Sequence, residues 1–238
     1  MKQSLRHRLV AEAIGTAMLL AAVVGSGIMG ERLAAGNVAV ALLANSLATG
    51  GALVALILAF GPISGAHFNP AVTLAIASQR GLAWREVPAY LIAQLFGAFA
   101  GVGIAHVMFG LPLFFASQHV RQGSGQLLGE FVATFGLLAV IFGCDRFKPA
   151  MVPFGVAAYI VGACWFTAST SFANPAVALA RSVTDTFAGI RPADVPSFIA
   201  AQMAGATLAT LVFSWLIPPR PEHSRDFVVR DEDTVRMS

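Results

Sequence analysis

The chain has 238 residues, of which 57% are hydrophobic and only 11% charged, and its formal net charge is +3. Soluble domains carry about a quarter charged residues, so lipid is the implied solvent for most of this length. The small positive excess is scattered, with no basic stripe, which argues against nucleic acid as a partner, and two cysteines, Cys144 and Cys164, make no disulfide framework.

In chain order, Lys2, Arg6 and Arg8 precede an apolar run that could pass for a signal peptide. Glu12 lies inside that run and no convincing small-residue cleavage site follows, so the segment is read as retained. Six stretches are predicted to span a membrane: 9–29, 38–60, 87–109, 126–144, 151–168 and 195–217. Each is near the ~20 residues that cross a ~30 Å hydrocarbon core. Two further apolar stretches are too short. They follow Asn69 and Asn174 and reach about Ser78 and Ser182. Ten helical residues rise only about 15 Å, half the core. Paired short segments at corresponding places in two halves point to a pore or a substrate site. Beyond residue 218 the chain turns charged, and 219–238 is read as a flexible cytoplasmic tail on a single channel domain, 1–218.

The halves, about 5–110 and 124–218, resemble each other. Glu12, Thr16, Leu19 and Leu20 match Glu130, Thr134, Leu137 and Leu138; Gln94 and Gly97 match Gln202 and Gly205. Each half holds three spans, an odd number, so the second enters the membrane upside down relative to the first, as an inverted repeat. With both termini cytoplasmic, eleven Lys and Arg residues lie inside and four (Arg32, Arg121, Arg181, Arg191) outside, as the positive-inside rule requires.

Each short segment opens with Asn-Pro-Ala: Asn69, Pro70, Ala71 and Asn174, Pro175, Ala176. Asn caps a helix and Pro suits its first turn, where no N–H is needed. The inverted repeat brings the two half-helices together N-terminus to N-terminus, each end carrying about half a positive charge. The two Asn amides then face a passing oxygen as donors, and cations meet a positive barrier. Small Ala71 and Ala176 let the tips touch.

These residues carry a family resemblance. The stretch from Ser64 to Thr73, Ser-Gly-Ala-His-Phe-Asn-Pro-Ala-Val-Thr, is similar to the first aquaporin signature, and Phe172-Ala173-Asn174-Pro175-Ala176 to the second. The resemblance covers about 5–218 and implies an all-α membrane protein: an aquaporin-like bundle of six transmembrane helices plus two re-entrant half-helices. It also implies a homotetramer with one pore per subunit, in contact with membrane lipid. Carried over from the family, the second constriction falls at Thr49, Gly162, Ser171 and Val177, with Val177 where the family usually has Arg. All four are small and uncharged, which implies a wide opening. A wide filter with Val at this place resembles the bacterial aquaporins associated with arsenic resistance, which would put the chain in a bacterial inner membrane. The implied partners are small neutral solutes and water: metalloid acids such as arsenite and possible methylated forms, glycerol-like polyols and urea.

Other residues have competing readings. Glu12 and Glu130 inside spans are candidate proton carriers by default, but their symmetric placement favours bracing of each half's re-entrant loop. His67 is read as packed, with a pore-lining or pH-sensing role as the alternative; Cys164 is read as a plain buried cysteine, with a pore-facing thiol as the alternative. Arg181 lies one turn beyond a filter site that Val177 already occupies, with a charge supplied to the pore as the alternative. The sequence holds no catalytic constellation, no metal-ligand cluster and no cofactor motif, so no enzyme is expected. The alternatives are a water-selective channel, disfavoured by the small filter, and a proton-coupled secondary transporter using Glu12 or Glu130.

Overall fold

The computed structural model describes residues 3–217; the expected tail at 219–238 lies outside them. Eight α-helices form, in order α1 Leu5–Leu33, α2 Val38–Ser64, α3 Pro70–Ser78, α4 Val87–Met108, α5 Ser124–Phe147, α6 Val152–Phe166, α7 Pro175–Ala180 and α8 Val195–Leu216. Six helical segments are long and apolar enough to cross a membrane, α6 reaching that length with the 3-10 turn Pro149–Met151 before it. The described residues contain no strand. The chain is thus an all-α multi-pass membrane protein with two short helices among six long ones.

The long helices outrun their apolar cores. α1 begins where Ser4 caps it, accepting from the His7 amide, and its extra turns carry Arg6, Arg8, Glu31 and Arg32. Arg8 makes a bidentate pair with Glu86 at 2.8 and 2.9 Å on one face of the bundle, and Arg32 donates to the Phe109 carbonyl at 3.1 Å on the other. Charged ends on an apolar rod fix where it sits in a bilayer. α2 runs on through Pro62 to Ser64 and stops at Gly65, whose φ of 93° few side chains tolerate.

Packing follows the repeat. α1 lies against α2 and α4, α5 against α6 and α8, and α2 meets α6 between the halves. The tightest crossings use equivalent glycines: a Cβ on Gly97 would overlap the Ala13 carbonyl of α1, and one on Gly205 the Phe131 carbonyl of α5. Without a side chain, each pair of backbones approaches to van der Waals contact, the usual source of helix association in lipid. α3 packs against α4 and α8, α7 against α4 and α8, so each short helix is wedged between the halves. The outward faces keep large apolar side chains exposed, among them Met18, Ile92, Phe96, Leu211 and Trp215, as a surface solvated by lipid tails requires.

Candidate pore

Two loops deliver the short helices. Residues 65–68 lead from α2 into Asn69, and 167–173 from α6 into Asn174. Neither loop is regular. Ala66 and Phe68 have φ of 49°, and Ser171 and Ala173 have φ of 52° and 49°. These positions lie three and one before each Asn, so both loops repeat one left-handed alternation. None is glycine, and each such residue costs about 1–2 kcal/mol relative to ordinary backbone.

Two buried carboxylates offset that cost. Glu12 Oε1 accepts from Ser64 Oγ at 2.6 Å and the His67 amide at 2.9 Å; its Oε2 accepts from the Phe68 amide at 2.7 Å and Gln94 Nε2 at 2.8 Å. Glu130 accepts from the Phe172 and Ala173 amides at 2.8 and 2.9 Å and from Gln202 Nε2 at 2.6 Å. Bonds to an ionised acceptor are roughly twice as strong as neutral ones. Each carboxylate grips the two residues of its loop that precede the Asn by one and two places, in Glu130 the same two positions as their own amides, Phe172 and Ala173.

The tips of α3 and α7 meet. Asn69 Oδ1 caps its helix by accepting from the Ala71 amide at 2.9 Å, while Nδ2 donates to the Ala173 carbonyl at 2.7 Å. Asn174 Oδ1 accepts from the Ala176 and Val177 amides at 3.0 and 3.3 Å, and its Nδ2 donates to the Phe68 carbonyl at 2.8 Å. Each amide therefore spends one N–H on the opposite loop and keeps the other. The two positive helix ends abut at this junction.

A cavity of about 210 Å³ runs past the junction, many times the roughly 10–15 Å³ that one water needs. Its walls are single helix faces with a spacing of four: Asn45, Thr49, Leu53 and Ile57 from α2; Val152, Val156, Ile160 and Cys164 from α6. Leu19 and Val23 of α1 stand opposite their repeat equivalents Leu137 and Ile141 of α5. The two loops form the polar side. Among the described residues, nothing donates to the carbonyls of Gly65, Ala66 and His67 or of Thr170, Ser171 and Phe172. The lumen thus combines an apolar wall with a line of acceptors and two amide donors.

Of the four positions carried over to the second constriction, Thr49, Ser171 and Val177 line this cavity and Gly162 does not. A Cβ on Gly162 would meet only the Phe166 ring of its own helix. Helix phase is the reason: Gly162 is two residues from both Ile160 and Cys164, about 200° around the axis from each. The loop after α6 is also longer than the loop after α2, so spacing counted back from Asn174 does not preserve the face. Cys164 takes the lumen-facing place on α6. His67 also lines the cavity, held by Nδ1 to Thr73 Oγ1 at 3.1 Å and by its ring 5.4 Å from that of Tyr90.

Arg181 takes the alternative left open by the sequence: it is 6% exposed and lines the cavity. Its guanidinium carbon stands 3.4 Å from the centroid of the Phe172 ring, and Nε donates to the Ala188 carbonyl. Arg121, from the loop before α5, lies over the same ring at 5.0 Å. Its donors go to the Gly189 and Ser169 carbonyls and to Thr170 Oγ1, tying three loop segments together. Burial pulls the Arg121 pKa below the ordinary arginine value, and the nearby Glu130 carboxylate acts against that shift.

The i, i+4 series ending at Cys164 was available in the sequence as a signal for the α6 face. So was the offset of Arg181, seven residues after Asn174, since Ile76 lies seven after Asn69 and also lines the cavity. The acceptor carbonyls carried no such signal. Among the described residues, no group of three His, Cys, Asp or Glu could hold a metal.

The sequence profile of the family described as Major intrinsic protein matches residues 1–151. Aquaglyceroporin AqpS of Rhizobium meliloti (strain 1021) is 55% identical over 215 residues, covering 90% of this chain and 92% of its own. Aquaporin AqpM of Methanothermobacter marburgensis is 34% identical over 246 residues, covering 90% and 98%. Among solved structures, the aquaglyceroporin from Plasmodium falciparum shares the fold, with a TM-score of 0.71 at 21% identity over 90% of this chain and 98% of that one.

Proposed function

We propose, on the premise that this chain belongs to the major intrinsic protein family and is a passive channel for small solutes rather than an enzyme, that it is a wide facilitator of small uncharged polar solutes. The permeants are glycerol-like polyols, urea, water, and metalloid acids such as arsenite in neutral form, with methylated arsenicals as the largest. The observation that carries this reading is Val177. It lines the lumen three residues after Asn174, with Thr49 and Ser171 the other small side chains at the constriction. No bulky aromatic or charged group occupies those places. The likeness to an aquaglyceroporin across nine-tenths of the chain supports the same class of permeant.

In this reading Asn69 and Asn174, with Pro70, Ala71, Pro175 and Ala176, form the midplane barrier to cations. Thr49, Ser171, Val177 and Cys164 form the filter, and Glu12 and Glu130 brace the loops. The protein acts as a homotetramer in the cell membrane with both termini in the cytoplasm, the orientation favoured by eleven basic residues against four. Glu12 and Glu130 already accept hydrogen bonds on both oxygens, an arrangement that favours a structural brace over a proton carrier.

The test is stopped-flow permeability of purified protein in vesicles to water, glycerol, urea and arsenite, with and without an imposed pH gradient. Flux of all four above empty vesicles, insensitive to the gradient, is expected. Water flux alone, or solute accumulation driven by the gradient, overturns the proposal.

A further inference from the structure

We infer that Arg181 is a specificity-determining residue of the lumen: its unpartnered guanidinium nitrogens hydrogen-bond acceptor oxygens of an entering neutral solute, and its charge turns cations away. The inference rests on the channel reading above and goes beyond it, because the filter there was assigned only small uncharged side chains.

Four observations carry it. Arg181 lines the cavity while almost fully buried, so its charge is held at the lumen wall and away from bulk water. Its orientation is set at two places, Nε on the Ala188 carbonyl and the guanidinium plane over Phe172. Neither contact uses Nη1 or Nη2, and no hydrogen bond from either nitrogen is seen among the described residues. The ion pairs among those residues are Arg8 with Glu86 and Arg191 with Asp194, so no carboxylate is in salt-bridge contact with Arg181, and Glu130, bonded to its own loop amides, acts on it only at longer range. Guanidinium has only donors, and a donor fork without acceptors on a lumen wall selects a ligand that brings oxygens.

The repeat separates this role from packing. Ile76 occupies the equivalent place seven residues after the first Asn and also lines the cavity. A half-helix in this fold is therefore built equally well with an uncharged aliphatic side chain there. Arg121 makes the opposite contrast: it shares the Phe172 ring but spends its donors on loop carbonyls and a loop hydroxyl. Beside Phe172, the buried Ser171 hydroxyl lines the same cavity and is likewise without a partner. A donor fork with a hydroxyl close in sequence to its aromatic platform suits a solute bearing both acceptor oxygens and O–H or N–H groups. Polyols, urea and neutral hydroxy-acids of metalloids are that class; methylammonium and alkali cations are not.

The experiment uses the full chain in vesicles at matched amounts of folded protein. It compares the parent with Arg181→Gln, Arg181→Lys and Phe172→Leu for glycerol, water and sodium permeability. In Arg181→Gln the glycerol-to-water ratio should fall about tenfold and sodium leak should rise about tenfold, the size of one lost charged hydrogen bond. Arg181→Lys should exclude sodium like the parent yet lose about threefold in the ratio, since its point charge lacks the fork. Phe172→Leu, which keeps the charge but removes its platform, should also lower the ratio. If Arg181→Gln does not fold, the other two variants decide. Ratios and sodium leak within about twofold of the parent in every variant that folds overturn the inference. A parent that passes no glycerol overturns the channel reading instead, and that result is read before any variant is compared.

Discussion

Asn69 and Ala173 are joined across the repeat: Nδ2 of the first donates to the carbonyl of the second at 2.7 Å, over a separation of 104 residues. Asp at position 69 would replace that donor by a carboxylate oxygen facing a carbonyl oxygen. It would also set a negative charge where two positive helix ends abut. Asn69→Asp, or Asn174→Asp against the Phe68 carbonyl, should lower the yield of folded protein and raise cation leak through whatever folds. Vesicle sodium flux and size-exclusion yield measure both; normal values for each would mean that these amides do not guard the lumen.

Glu12 and Glu130 hold the left-handed residues of the two loops. Gln at either place would turn an NH2 toward backbone N–H groups that now donate to carboxylate. Leaving a buried N–H without its acceptor costs about 1–3 kcal/mol, so Glu12→Gln and Glu130→Gln should each lower thermal stability sharply. Solute flux per folded channel should stay near the parent value. A Gln variant of unchanged melting temperature would show that the braces are dispensable.

Val177 is buried and lines the cavity one turn from Arg181. Val177→Arg would add a second long cation and fill the space that three small side chains leave. Flux of the largest neutral permeants should drop far more than flux of water. Val177→Ala, which enlarges an already small site, should be nearly silent. A solute-to-water ratio unmoved by Val177→Arg would remove position 177 from the filter.

Cys164 lines the cavity, whereas Cys144 and Gly162 do not. Mercuric ion should therefore block solute flux through the parent and through Cys144→Ser, and leave Cys164→Ser open. Gly162→Ala should change permeability little. Mercury resistance in Cys144→Ser instead would place the α5 thiol, not Cys164 of α6, in the lumen.

The spans, the paired Asn-Pro-Ala tips and the repeat were legible because each rests on a local rule: length against bilayer thickness, capping chemistry, or matched residues at matched places. Helix phase was less accessible. Gly162 looked lumen-facing when counted from Asn174, but the seven residues 167–173 between α6 and that Asn carry no regular spacing. The sequence left open whether Arg181 reaches the pore, because Val177 held the expected site and only the path of the chain past Ala180 turns its guanidinium onto Phe172. The alternating backbone at Ala66, Phe68, Ser171 and Ala173 was not legible at all. None is the residue type that invites positive φ, and the conformation is imposed by carboxylates on other helices.

The reciprocal clasp between the loops has a consequence for the timing of biosynthesis. Phe68 and Asn69 leave the ribosome more than a hundred residues before Asn174 and Ala173. At 5–20 residues per second, the first tip waits roughly 5–20 s with its amide and carbonyl unclaimed. Glu12 and Gln94 can hold the first loop in shape over that interval, since both belong to the half already made, but the seam itself closes only when the second tip arrives. Two half-length chains made separately in one cell should therefore assemble by the same seam, and either made alone should be left with an open tip and be cleared.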